Sequence, residues 1–107
     1  MSETELRGVF GELEKRFVKG AMNRTTTFYV SLGDGAAEKW TVIVGPEKCE
    51  VREGKVEHAD CVLKTTTEFF LKMVRDRYTP GFLDFTRGKI KTNDPTRLPD
   101  LKTAFGL

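Results

Sequence analysis

The side chains best suited to chemistry are few in this sequence, and they stand apart. One histidine, His58, falls in a polar turn between two strand patterns, where it reads as an exposed loop residue. Cys49 and Cys61 are separated by eleven residues, which is not metal-ligand spacing, and one histidine cannot complete a zinc site. Cys61 follows Asp60, whose charge opposes thiolate formation, so both cysteines read as small apolar residues. No serine occupies a Gly-x-Ser-x-Gly setting. Gly33-Asp34-Gly35 lacks the helix and lysine that would make it a phosphate loop. The carboxylates are scattered over turns and helix faces. The pattern predicts no catalytic residue, no metal site and no cofactor.

What stands out is apolar. Eight phenylalanines face two tyrosines and one tryptophan. Phe69, Phe70, Phe82 and Phe85 crowd into two neighbouring helical pieces that must cover a sheet. Such residues are core by default. They line a ligand site only where a void is left between helices and sheet, and periodicity does not distinguish a filled interior from a hollow one.

The elements that position these residues follow from hydrophobic period. Ser2 with Glu5 matches a capping box, and Leu6, Val9, Phe10, Leu13 and Phe17 recur at helical spacing toward a stop at Gly20. Four strand patterns come next: Thr26–Leu32, Lys39–Val44 with Trp40, Val42 and Val44 on one face, Lys48–Arg52, and Asp60–Lys64. Gly33-Asp34-Gly35, Gly45-Pro46 and Glu53-Gly54-Lys55 supply turns, so the four read as an antiparallel meander. Thr65 and Glu68 suggest a second capping box before a helix carrying Phe69, Phe70, Met73 and Val74. Thr79-Pro80-Gly81 breaks it, and a short helical turn holds Phe82, Leu83 and Phe85. Lys89–Thr92 is a short fifth strand. Asp94-Pro95 opens a last helix with Leu98, Leu101, Ala104 and Phe105 inward, and Pro99 pushes its regular start toward that residue. The fold class is α+β: a five-stranded, mostly antiparallel sheet with helices over one face.

At 107 residues, 38% hydrophobic and 32% charged, the chain predicts one globular domain, residues 1–107, with a core that needs no staples. A net charge of +2 is too balanced for a nucleic-acid footprint, though its sign suits visits to an anionic membrane surface. The cysteine usage, and the lack of a signal sequence or long apolar run, predict a soluble cytoplasmic protein. The oligomeric state is not legible.

Several local strings, in order, resemble the sterol carrier protein type 2 family. Trp40-Thr41-Val42 resembles its tryptophan-bearing strand. Gly54-Lys55 followed by Ala59-Asp60-Cys61 resembles its turn and the start of its fourth strand. Thr65-Thr66-Thr67-Glu68-Phe69 resembles its polar helix start. Pro80, then Phe85, then Gly88-Lys89-Ile90-Lys91 resembles its proline and Gly-Lys-(Leu/Ile)-Lys string. The likeness runs from Phe10 to Leu101. It departs at Arg75-Asp76-Arg77-Tyr78, where the family often has a glycine, at Asn93 or Asp94, and in a short C-terminal end.

The resemblance implies an apolar cavity between sheet and helices for a fatty acyl chain, a sterol-like molecule or an isoprenoid. Mapped onto this chain, the lining comes from Trp40 and Val42 on the sheet, Phe69, Phe70 and Met73 on the long helix, Phe82 and Phe85 on the short one, and Leu101 and Phe105 on the last. The last helix is the candidate lid. The expected role is binding, with transfer of the lipid as its extension, and no enzymatic step. The alternative is an accessory domain with a filled core that partners a lipid- or quinone-metabolising enzyme. A connected void beside Phe69, Met73 and Phe85 separates the two.

Overall fold

A computed structural model describes residues 3–33, 35 and 38–106. Ser2 of the expected capping box and Asp34 of the expected turn lie outside the described residues.

Helix α1 (Glu3–Lys15) presents Leu6, Val9, Phe10 and Leu13 as one buried stripe, as their spacing requires. It stops before Gly20: Arg16 N–H donates to Leu13 O and Phe17 N–H to Glu14 O, a tightened last turn. The chain then turns, with Ala21 N–H donating to Val18 O at 3.2 Å. Val18 N–H donates to Ala104 O and Gly20 N–H to Pro46 O, and Gly20 takes the left-handed conformation that glycine adopts without strain (φ 84°).

Strands β1 (Thr26–Ser31), β2 (Lys39–Val44), β3 (Cys49–Glu53), β4 (Cys61–Thr65) and β5 (Ile90–Thr92) form one sheet in the order β3-β2-β1-β4-β5. β1, β2 and β3 are the expected antiparallel meander. β4 is not its fourth member. It lies on the far side of β1 and pairs with it in parallel, Phe28 opposite Cys61 and Val30 opposite Leu63. β5 returns antiparallel beside β4. The sheet is therefore mixed and mostly antiparallel. The chain from β3 to β4 must cross one face, and a hydrogen bond from Thr41 Oγ1 to Gly54 O marks that crossing. Tyr29 and Thr41, on the face without helices, are buried although no helix covers them.

The other face carries Phe28, Val30, Trp40, Val42, Val44, Cys61 and Leu63, all buried. Over it lie α1, α2 (Thr67–Arg75), α3 (Phe82–Thr86) and α4 (Leu98–Phe105). The α2 cap is one residue later than Thr65: Thr66 Oγ1 accepts from Phe69 N–H at 3.1 Å. Asp94 caps a single 3-10 turn (Pro95–Arg97), and α4 begins at Leu98, beside Pro99 as expected.

Candidate functional site

The interior between sheet and helices is filled by rings. Trp40 stacks on Phe10 (centroids 4.4 Å apart, planes at 12°), and Phe10 stacks on Phe70 (5.2 Å, 22°). Val42, Leu101 and Phe105 are buried in the same core. Phe17 meets Phe105 edge-on at 6.4 Å.

The hollow lies at the edge of this core, between α2, α3 and α4. α2 ends at Asp76, whose N–H and that of Tyr78 both donate to Lys72 O, while Arg77 takes a left-handed conformation (φ 56°) that turns the chain. Tyr78 then packs edge-on against Phe69 at 5.7 Å, with the Lys72 ammonium 4.1 Å over its ring. The Tyr78 hydroxyl donates to Asp84 Oδ2 at 2.6 Å, and Gly81 N–H donates to the same oxygen at 2.8 Å. These bonds, the hydroxyl first, hold the Asp84 carboxyl below the usual carboxylate range. They fix α3, which sets Pro80 and Phe85 beside Met73.

Opposite, the Asp94-capped turn presents Pro95, Leu98 and Pro99. The resulting pocket has a volume of about 170 Å³ and is lined by Met73, Thr79, Pro80, Phe85, Pro95, Leu98, Pro99 and Lys102. Three of the chain's four prolines are in this wall. Proline has no backbone N–H, so such a wall offers a ligand few polar groups to desolvate. The one polar closure is a hydrogen bond from Lys102 Nζ to Thr79 Oγ1, joining α4 to the α2–α3 connection.

Two expected lining residues, Met73 and Phe85, face this pocket. Trp40, Val42, Phe70, Leu101 and Phe105 stand in the packed interior behind it. Phe69 borders a separate surface hollow with Thr66, Glu68, Lys72 and Lys89. Phe82 points outward, 83% exposed, and Leu83 is 59% exposed, because the Asp84 bonds rotate the short helix so that Asp84 and not Phe82 faces inward. Sequence reasoning missed Leu98, Lys102 and the prolines as lining; the signal was the density of proline between residues 80 and 99.

His58 is exposed. Cys61 is fully buried, and burial pushes its thiol pKa up; Cys49 is half-buried, its thiol raised by burial and then by the nearby Glu14 charge. No group of His, Cys, Asp and Glu among the described residues could hold a metal ion, and no helix among them is long and apolar enough to cross a membrane.

A mixed five-stranded sheet in the order β3-β2-β1-β4-β5 with helices on one face is a sterol carrier protein 2-like fold. No family model matches the chain, and no curated protein sequence matches it. Solved structures do. A sterol carrier protein 2 like 2 from Aedes aegypti superposes with a TM-score of 0.60 at 15% identity, over 94% of this chain and 94% of that one. A palmitated form of the same protein gives 0.60 at 18%, over 89% and 87%. UbiJ-SCP2, a ubiquinone synthesis protein, gives 0.53 at 12%, over 87% and 73%. The stereoselective inverting sec-alkylsulfatase Pisa1 from Pseudomonas sp. gives 0.71 at 18%, over 87% of this chain but only 15% of that one. The chain therefore spans about one seventh of the alkylsulfatase, and what all these share with it is the fold.

Proposed function

We propose that residues 1–107 form a lipid-binding module that takes an apolar chain, acyl, sterol-like or isoprenoid, through the pocket between α2, α3 and α4. The observation that carries this reading is the proline-walled hollow at Met73, Phe85 and Leu98 in an otherwise filled core. Its volume of about 170 Å³ is below the usual range for a whole ligand, about 300–1,000 Å³. It therefore serves as an entrance. A longer chain is accommodated when the Leu98 end of α4 lifts and the Lys102–Thr79 bond opens, a lid motion like those that admit other buried ligands. The C-terminal end of α4 stays pinned through Ala104 O to Val18 N–H. Phe82 and Leu83, exposed beside the entrance, suit contact with the surface a lipid comes from. The palmitate carried by the Aedes aegypti relative in fold agrees with this choice of ligand. The role is binding without chemistry, with transfer of the lipid as its extension.

A second reading is favoured by the Trp40–Phe10–Phe70 stack, which fills the space a large ligand would need. In it the module serves as a cytoplasmic accessory to a lipid- or quinone-metabolising enzyme. Native mass spectrometry of the freshly purified protein, with organic extraction, distinguishes the two. A co-purifying lipid that is lost on Phe85→Ala supports binding. An unliganded mass with no uptake of fluorescent fatty acids or sterols supports the filled accessory domain.

A further inference from the structure

The face of the sheet without helices carries an unbalanced row of lysines. Register places Lys39 opposite Ser31 on β1, Ser31 opposite Lys64 on β4, and Lys64 opposite Lys91 on β5. Residues directly opposite share a face, so Lys39, Lys64 and Lys91 form one line across four strands, interrupted by a serine. Like charges directly opposite on a sheet are destabilising, and open sheet faces ordinarily alternate sign. On the adjoining edge strand β3, the same face does so: Glu50 and Arg52 pair at 2.7 Å. Among the described residues no carboxylate pairs with Lys39, Lys55, Lys64 or Lys91. Glu38 lies at the rim, its Oε1 accepting from Gly35 N–H at 3.3 Å.

The row borders a basin. A hollow of about 450 Å³ is lined by Tyr29, Ser31, Gly33, Lys39, Lys55, Lys64 and Thr65. Lys39 is set in its wall: its ammonium donates to Ser31 Oγ at 2.8 Å and to Gly33 O. Lys55 reaches the basin from the β3–β4 crossing. Cations in a concave site focus the field on one spot, and an ammonium is a point donor suited to phosphate. Strand spacing of about 4.8 Å separates Lys39 from Lys64 by about 10 Å at the backbone, a span that their side chains close around one or two phosphoryl groups.

We propose that this basin is a binding site for a phosphate-type oxyanion, held by Lys39, Lys55 and Lys64. It is separate from the lipid entrance and does not depend on that reading. The anion belongs either to a free phosphorylated molecule or to a phospholipid headgroup.

The test is titration of the ¹⁵N-labelled full chain with inorganic pyrophosphate at low salt, with flotation of phosphatidylcholine vesicles with and without phosphatidic acid beside it. Lys64→Gln and Lys39→Gln keep the stems that cover the sheet, and each is expected to weaken binding at least tenfold. Lys72→Gln, over Tyr78 on the helical side, is the charge control. Pyrophosphate shifts centred on Ser31, Lys39 and Lys64 assign a free phosphate. Flotation that requires phosphatidic acid and is lost in Lys64→Gln, without a pyrophosphate response, assigns a headgroup. Binding of neither probe, or loss that is equal in Lys72→Gln and Lys64→Gln, overturns the proposal.

Discussion

Met73→Trp tests the entrance directly, and its size can be worked out beforehand. The pocket of about 170 Å³ accommodates about six water-sized groups, at about 30 Å³ each. Tryptophan has about six more non-hydrogen atoms than methionine, so the substitution fills the hollow that a ligand would occupy. Six buried methylenes are worth about 5 kcal/mol at about 0.8 kcal/mol each. Losing them weakens binding by roughly a thousandfold or more. The fold should lose little, since the added ring enters space left vacant and overpacking a full site costs only about 1–3 kcal/mol. Titration with a fluorescent fatty acid, beside thermal unfolding of the same samples, reads both quantities. Near-parental affinity in a folded Met73→Trp protein refutes the pocket as the place where the chain binds.

Other substitutions follow from the same geometry. Lys102→Ala removes the bond to Thr79 across the entrance; stopped-flow uptake should quicken several-fold while stability shifts by at most about 1 kcal/mol, as for other exposed polar contacts. Phe10→Ala removes the middle ring of the Trp40–Phe10–Phe70 stack, where Phe10 is fully buried, and should cost about 3–5 kcal/mol by denaturant unfolding, with altered Trp40 emission. Asp84 has its folded pKa depressed by Tyr78 and Gly81, so its contribution is present above the ordinary value of 3.8 and is lost as the pH falls through the lower folded value. Protection of the Gly81 and Phe85 amides, taken against their intrinsic exchange rates at each pH, should therefore fall in acid through that range, and Asp84→Asn should lower it and remove that acid-dependent loss.

Local period was enough to place nearly every element, because each buries one stripe or one face. α1, β1, β2 and the Phe69–Val74 face of α2 follow directly from residue spacing. Asp94-Pro95 and Pro99 gave the broken start of α4. The parallel β1–β4 pair was not legible, since pairing between distant strands leaves no trace in the spacing of either one. The outward turn of Phe82 was not legible for a related reason. A helix as short as α3 has no reliable stripe, and its rotation is set by Asp84 bonding to Tyr78 and Gly81. Of the expected lining, Met73 and Phe85 border the hollow between α2, α3 and α4. Trp40, Val42, Phe70, Leu101 and Phe105 have the same apolar signature, yet packing makes them core, and only three-dimensional fit separates the two. The lysine row on the open face depends on strand register in the same way.

The most direct test of the lipid reading uses the methionine methyls. Met73 lines the entrance and Met22 is buried elsewhere in the core, so ¹³C-methyl labelling gives a site probe and an internal control. On titration with a fatty acid, the account expects the Met73 methyl to shift and to show nuclear Overhauser contacts with the acyl chain, while Met22 shows no such contacts. Saturable fatty-acid binding with no contact to Met73, or no binding at all, would contradict it.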